Sequence, residues 1–177
     1  MYGDQNVLTC VEGDTTDQHR IEQILREWGI STIFHISGIK QTLPLVRAAI
    51  RVGSVTRLVL VHTTGIYSKF KAASAEYLQI ERELEELLRD TGISVTILRP
   101  TMIYGSLDDH NISVFLRMVD KLRIFPVVKS GRYELQPVNQ QDLGRAYYQV
   151  LNDPEATGAA ITISPATMRS TCGTFWS

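Results

Sequence analysis

Cysteine is scarce in this sequence. Cys10 and Cys172 are the only two, too few and too far apart for a disulfide framework or a thiolate metal site. An excess of charge of one sign is also lacking: 18 Lys and Arg face 19 Asp and Glu, for a net charge of −1. That balance leaves no electrostatic footprint for nucleic acid or an anionic membrane surface. The longest apolar stretches, such as Leu58–Val61 and Val95–Leu98, are far too short to span a bilayer. The N-terminus opens polar, without the basic-then-apolar order of a secretory leader. Repeats, linkers and low-complexity segments are missing too. The expectation is therefore a soluble, cytoplasmic chain. Its 177 residues, 44% hydrophobic and 21% charged, suffice for one domain with one substantial core.

What is present is an alternation of strand-like and helix-like segments. Asn6–Val11 reads as a short strand, followed by a turn over Gly13-Asp14-Thr15-Thr16-Asp17. Ile21, Ile24, Leu25 and Trp28 recur at helical spacing, with Gly29 as the stop. Thr32–Ile36 is a β-branched, apolar strand closed by Gly38. Leu45–Ile50 is a short helix with Pro44 near its start. Arg57–Val61 is the most strand-like run in the chain. A long helix from about Ala73 to Arg89 precedes the strand Ser94–Leu98, which Arg99-Pro100 stops. A helix over Asn111–Leu122, extended pieces at Pro126–Val128 and Tyr133–Val138, a helix over Gln141–Leu151 and a last strand at Ala160–Ile163 follow. This order predicts βαβ crossovers, hence an α/β fold with a mainly parallel sheet flanked by helices. Residues 1–165 are expected to form the domain, and 166–177 an irregular tail.

Five segments in this order resemble the epimerase/dehydratase-like branch of the short-chain dehydrogenase/reductase superfamily. They are Val11-Glu12-Gly13-Asp14-Thr15-Thr16-Asp17, His35-Ile36-Ser37-Gly38, Val61-His62-Thr63-Thr64-Gly65-Ile66-Tyr67, the stretch from Glu85 through Thr91-Gly92 to Arg99-Pro100 and Tyr104-Gly105, and Pro137-Val138 with Gln141-Asp142-Leu143-Gly144-Arg145-Ala146. The resemblance implies a Rossmann-like fold that binds NAD or NADP. It assigns Asp14, Thr15, Ser37, Gly38, Arg99 and Pro100 to the cofactor. The substrate it implies is a small hydroxyl or carbonyl compound such as a nucleotide sugar, held by the segment from about Tyr104 to Val138.

The same resemblance exposes two departures. No G-x-x-G-x-x-G or G-x-G-x-x-G occurs in the chain, although the glycine-rich turn and its helix N-terminus normally hold the pyrophosphate. The first strand-like run corresponds to the family's third strand. The expected fold is thus N-terminally truncated, lacking its first βαβ unit, with weak or absent cofactor binding. In the catalytic set, Thr63 matches the hydroxyl that orients the substrate and Tyr77 the acid/base. Glu81 stands where the family has the Lys, one helical turn on, and a carboxylate there disfavours the phenolate. Tyr67 and Lys71 form a literal Y-x-x-x-K as an alternative pair, and Lys69 or Lys71 is a further source of the missing ammonium.

Each candidate also has a structural reading. Tyr77 is equally compatible with a core or interface position, and Thr63 and Thr64 with satisfying backbone groups at a strand end. Asp14 to Asp17 form a natural helix-capping cluster. His35 suits a hydrogen-bonded core histidine, Arg99-Pro100 a strand end, and Glu81, Glu83, Glu85 and Glu86 a solvated helix face. Two function classes remain: an NAD(P)-dependent oxidoreductase or epimerase of weakened or lost activity, and a non-catalytic binding module or incomplete gene product that keeps the scaffold. An apolar strand exposed by the missing unit leads to the expectation of a homo-oligomer, or of a partner chain that supplies the unit.

Overall fold

The computed structural model describes residues 8–67, 71–106, 112–123, 136–153 and 160–163. A four-stranded parallel sheet forms its centre, in the order β1 (Thr32–His35), β2 (Arg57–Val61), β3 (Ser94–Pro100), β6 (Ala160–Ile163). Among the described residues five α-helices accompany it: α1 (Gln18–Glu27), α2 (Thr42–Val52), α3 (Lys71–Leu88), α4 (Ile112–Leu122) and α5 (Gln140–Asn152). A separate two-residue pairing joins β4 (Ile103–Tyr104) to β5 (Val138–Asn139), also parallel.

The sheet follows from its most apolar strand. β2 reads Arg-Leu-Val-Leu-Val, and its last four residues are all buried, as suits a central parallel strand covered on both faces. Successive side chains alternate between the faces. Leu58 and Leu60 pack with Ile21, Leu25, Leu45, Val46, Ala48, Ala49 and Leu84 from α1, α2 and α3. Val59 and Val61 face the other way, with Leu98, Val138 and Leu143. On that side the Phe34 and Tyr147 rings meet edge to face at 5.2 Å, and burial pushes the Tyr147 phenol up to about 12.

Local chemistry sets the element ends. Asp17 caps α1 by accepting from the Arg20 amide, and its first apolar turn buries Ile21 and Leu25. α2 stops at Gly53, whose φ of 75° is the left-handed conformation that favours glycine at a helix C-terminus. Asn139 caps α5 through the Gln141 amide. At the other end of α5, the Arg57 guanidinium donates to the carbonyls of Val150 and Asp153 at 2.7 and 2.9 Å, where the helix dipole favours a cation.

The expected helices and the strands from β1 onward are all present, with ends shifted by a few residues. One expectation fails. The strand expected over Asn6–Val11 is not formed in its described part: residues 8–11 carry no regular structure, and Leu8 is 88% exposed. An isolated extended segment gains hydrogen bonds only from a neighbour, and among the described residues no strand lies beside it or beyond β1. The pairing of Ile103–Tyr104 with β5 was not foreseen. The extended piece at Pro126–Val128 and the tail lie outside the described residues, as does Tyr133–Val138 except for its end, where Val138 opens β5.

Candidate functional site

β2 ends at Val61, and His62 follows with its amide still bonded to the Leu98 carbonyl of β3 at 2.8 Å. Thr63 comes next, leading into a 3-10 turn over Thr64–Tyr67. The Thr63 hydroxyl oxygen accepts from the Gly65 amide at 3.0 Å, so it does serve the backbone at the strand end. The ring edge of Tyr77 approaches the same glycine. A side chain begun at Gly65 would lie 3.1 Å from Tyr77 Cε2 and 3.2 Å from Thr63 Oγ1. The two hydroxyl-bearing residues thus flank one point, and the glycine is what leaves room between them.

Glu81 lies one turn beyond Tyr77 and does not stand as a lone carboxylate. Arg99 donates to it twice, from Nε at 3.3 Å and from a terminal nitrogen at 2.7 Å. His62 donates from Nδ1 at 2.9 Å, which leaves Nε2 to accept from the buried Thr42 hydroxyl at 3.3 Å. Burial alone raises the Glu81 carboxyl, but the donors from Arg99 and His62 outweigh it and hold Glu81 below its ordinary value. Burial depresses His62, more than the attraction of Glu81 raises it. The array is therefore an ionised carboxylate on a guanidinium, with a neutral imidazole completing it.

Sequence reasoning missed His62 and Thr42 as members of this array. Arg99 in an otherwise apolar strand was the available signal, because a buried guanidinium requires a carboxylate partner. Glu81, on the Tyr77 side of α3, was the one to consider.

The turn after β1 is held by its own histidine. His35 Nε2 donates to the Gly38 carbonyl at 3.1 Å, and Nδ1 accepts from the Ser37 hydroxyl at 3.2 Å. Burial lowers the His35 pKa, so this ring too is neutral, the hydrogen-bonded core histidine weighed from sequence. Gly38 has φ of 112°, and the space where a side chain would begin is open. Nearby, Lys40 pairs with Glu76 at 2.8 Å. The hydrogen bond to Glu76 and its charge hold the Lys40 ammonium above its ordinary value, with Tyr77 contributing. An ammonium from the turn after β1 is thus held at Glu76, the residue before Tyr77, a pairing not foreseen from sequence.

The remaining candidates are dispersed. Asp14 folds on itself, accepting from the Thr16 amide and hydroxyl at 2.7 and 2.8 Å, while the Thr15 hydroxyl donates to Gln41 at 3.1 Å. Pro100 ends β3 and is buried. Tyr67 is 65% exposed; Lys71 opens α3, and Lys69 lies outside the described residues. Among the described residues no group of three or more His, Cys, Asp or Glu could hold a metal ion, and no helix is long and apolar enough to cross a membrane.

Comparison with known proteins decides the family. Residues 2–154 match a family described as NAD(P)H-binding. The chain belongs to the NAD(P)H-binding family. Its cofactor class is accordingly NAD or NADP. No curated protein is a significant match in sequence. Solved structures share the fold of this family member at low identity. The UDP-glucose 4-epimerase of Thermotoga maritima, solved with UDP-glucose, is 19% identical with a TM-score of 0.67, over 87% of this chain and 62% of that one. A dTDP-glucose 4,6-dehydratase of Streptomyces venezuelae, solved with NAD, is 21% identical with a TM-score of 0.66, over 86% and 57%. The UDP-N-acetylglucosamine 4-epimerase of Methanobrevibacter ruminantium is 13% identical with a TM-score of 0.71, over 98% and 69%. The chain thus spans about three fifths of the length of the first two. Its fold is the Rossmann-like fold of the epimerase/dehydratase enzymes, as the resemblance in sequence implied.

The described residues fit a nicotinamide dinucleotide at one end. The open Gly38 turn admits close approach of a ligand to backbone, and the Thr63 and Tyr77 hydroxyls stand on adjoining elements. The Glu81 position offers no ammonium to a ribose, since a carboxylate held by Arg99 occupies it.

Proposed function

We propose that this chain is an NAD(P)-dependent oxidoreductase or epimerase-like protein of low activity, acting on a nucleotide sugar or another small hydroxyl or carbonyl compound. The observation that carries the reading is the meeting of Thr63 and Tyr77 over Gly65. In it, residues 1–165 form the cofactor-binding unit, residues 104–138 face the substrate and 166–177 are a tail. Asp14, Thr15, Ser37, Gly38 and Pro100 line the cofactor side. Arg99 serves it only through Glu81, because that carboxylate takes its Nε and a terminal nitrogen. The cofactor, when bound, supplies hydride transfer. Thr63 orients the substrate oxygen by donating its hydroxyl proton while its oxygen stays on the Gly65 amide. Tyr77 then gives or takes the proton at that oxygen. The epimerase and dehydratase named above, one solved with UDP-glucose and the other with NAD, support the choice of nucleotide sugar.

Glu81 favours a second reading, a binding module without catalysis, because it places a captured carboxylate where the resemblance expects the activating Lys. One experiment separates the two. The purified protein is analysed by mass spectrometry for a retained nucleotide, then assayed with NAD and NADP against UDP- and dTDP-hexoses beside Tyr77→Phe. Turnover that Tyr77→Phe abolishes supports the enzyme; a retained nucleotide without turnover supports the module.

We propose a partner at the outer side of β1. β1 pairs with β2 on one side, and among the described residues nothing pairs with the other, while Ile36 just beyond it is 58% exposed. A second copy of the chain, or a separate polypeptide contributing a βαβ unit, is the proposed occupant of that edge.

A further inference from the structure

We infer that Thr42, His62, Glu81 and Arg99 act as a positioning array that sets where Tyr77 stands relative to Thr63. The inference rests on the reading of Thr63 and Tyr77 as the reactive pair, and adds four residues that the reading leaves without a role.

Apolar packing alone locates α3 only weakly. Among the described side chains of this 18-residue helix, Ser74 and Leu84 are buried, and Leu88 one turn on packs half-buried against the same core as Leu84. Apolar contacts are non-directional, so these two, both near the C-terminal end of the helix, fix the rotation and height of its Tyr77 turn less sharply than hydrogen bonds do. Directional bonds remove the remaining freedom. Glu81 is bound at both carboxylate oxygens, by Arg99 from β3 and by His62 from the end of β2. Arg99 and His62 are themselves fixed, since Arg99 stands in the β3–β6 ladder opposite Thr162, directly after the β2–β3 pairing that ends at Leu98, and the His62 amide bonds to Leu98. Thr42 of α2 holds the far nitrogen of the imidazole, so the ring cannot turn away from Glu81.

The attachment points are what make this array relevant to the site. His62 directly precedes Thr63, and Glu81 follows Tyr77 by four residues, about 6 Å of rise. The array therefore links the two reactive residues through their immediate neighbours. Buried ion pairs contribute little net stability but can fix register, which matches a pair placed here rather than at the centre of the core.

The test is the nuclear Overhauser cross-peak between the Tyr77 ε protons and the Gly65 α protons, whose carbon neighbours are close in the structure. Glu81→Gln keeps Oε1 as acceptor for His62 Nδ1 and Arg99 Nε while losing the bond from the terminal nitrogen, and the cross-peak is expected to weaken less than in Glu81→Leu. Glu81→Leu is expected to weaken it several-fold while the β2 and β3 amides keep their exchange protection. Where Glu81→Leu does not fold, Glu81→Leu combined with Arg99→Met removes both charges together. That double variant is expected to fold and to show no such cross-peak. A cross-peak of undiminished intensity in either folded Leu variant overturns the inference. Turnover in the parent protein is measured separately, so a positioning effect without any turnover leaves the array standing and removes the catalytic reading alone.

Discussion

Arg99 holds Glu81 through its Nε and a terminal nitrogen, at 3.3 and 2.7 Å. A carboxylate that sequence reasoning expects to oppose Tyr77 is thereby turned toward the sheet and neutralised by a guanidinium. Removing one partner leaves the other buried without its counter-charge. Arg99→Met or Glu81→Leu alone is therefore expected to cost about 3 kcal/mol, and the double substitution markedly less than their sum. Urea unfolding of the four proteins of this cycle measures it. Additive losses would mean that the pair is not coupled in solution.

Acid is expected to destabilise the fold. His35 and His62 are both held below the ordinary value of 6.5, chiefly by burial. The unfolded chain then binds their protons more readily, so the stability from neutral rings is complete above that value and declines as pH falls below it. Glu81, held below its ordinary 4.5, adds a further loss in the same direction at lower pH. The slope from two histidines reaches up to about 2.7 kcal/mol per pH unit once both unfolded rings are protonated. Unfolding midpoints from about pH 7 to about pH 5 test this, and His35→Gln is expected to flatten the curve.

Cofactor affinity is expected to be weak. Pyrophosphate binding normally draws on several charge-assisted bonds of about 1.5–3 kcal/mol each, and this sequence has no glycine-rich turn to supply them. Losing two such bonds places NAD and NADP in roughly the millimolar range. Calorimetry that gives low-micromolar binding contradicts the expectation.

Gly65→Ala is expected to separate the reactive pair without unfolding the protein. The new methyl carbon would meet Tyr77 Cε2 at 3.1 Å and Thr63 Oγ1 at 3.2 Å, so the ring must give way by a few tenths of an ångström. With the proposed proton transfer, turnover should fall toward the level of Tyr77→Phe, a loss of about 10²–10⁴-fold. Unchanged turnover in Gly65→Ala would show that Tyr77 does not act at that point.

Association is expected at the side of β1 that carries no strand among the described residues. Light scattering over a wide concentration range should show a dimer or larger species, or recruitment of a partner chain. A monodisperse monomer that unfolds cooperatively removes this expectation.

The alternation of apolar runs determined the α/β class, the parallel strands from Thr32 onward and nearly every helix, because period and chain order are local properties that the sheet then uses directly. Leu58 to Val61 announced a strand, and the structure covers it on both faces. Asp17 and Gly29 likewise marked the two ends of α1 through capping and backbone conformation, which depend on adjacent residues alone. The strand expected at Asn6–Val11 is not seen in its described part because a strand is not a local object: with no neighbour among the described residues to share hydrogen bonds, residues 8–11 stay irregular. The site divides in the same way. Thr63 and Tyr77 came forward as candidates through the family resemblance, whereas the capture of Glu81 by Arg99 and His62 was not legible in the sequence. Those three residues come from β3, the end of β2 and the middle of α3, and only the packing of the helix on the sheet decides which charge each one meets.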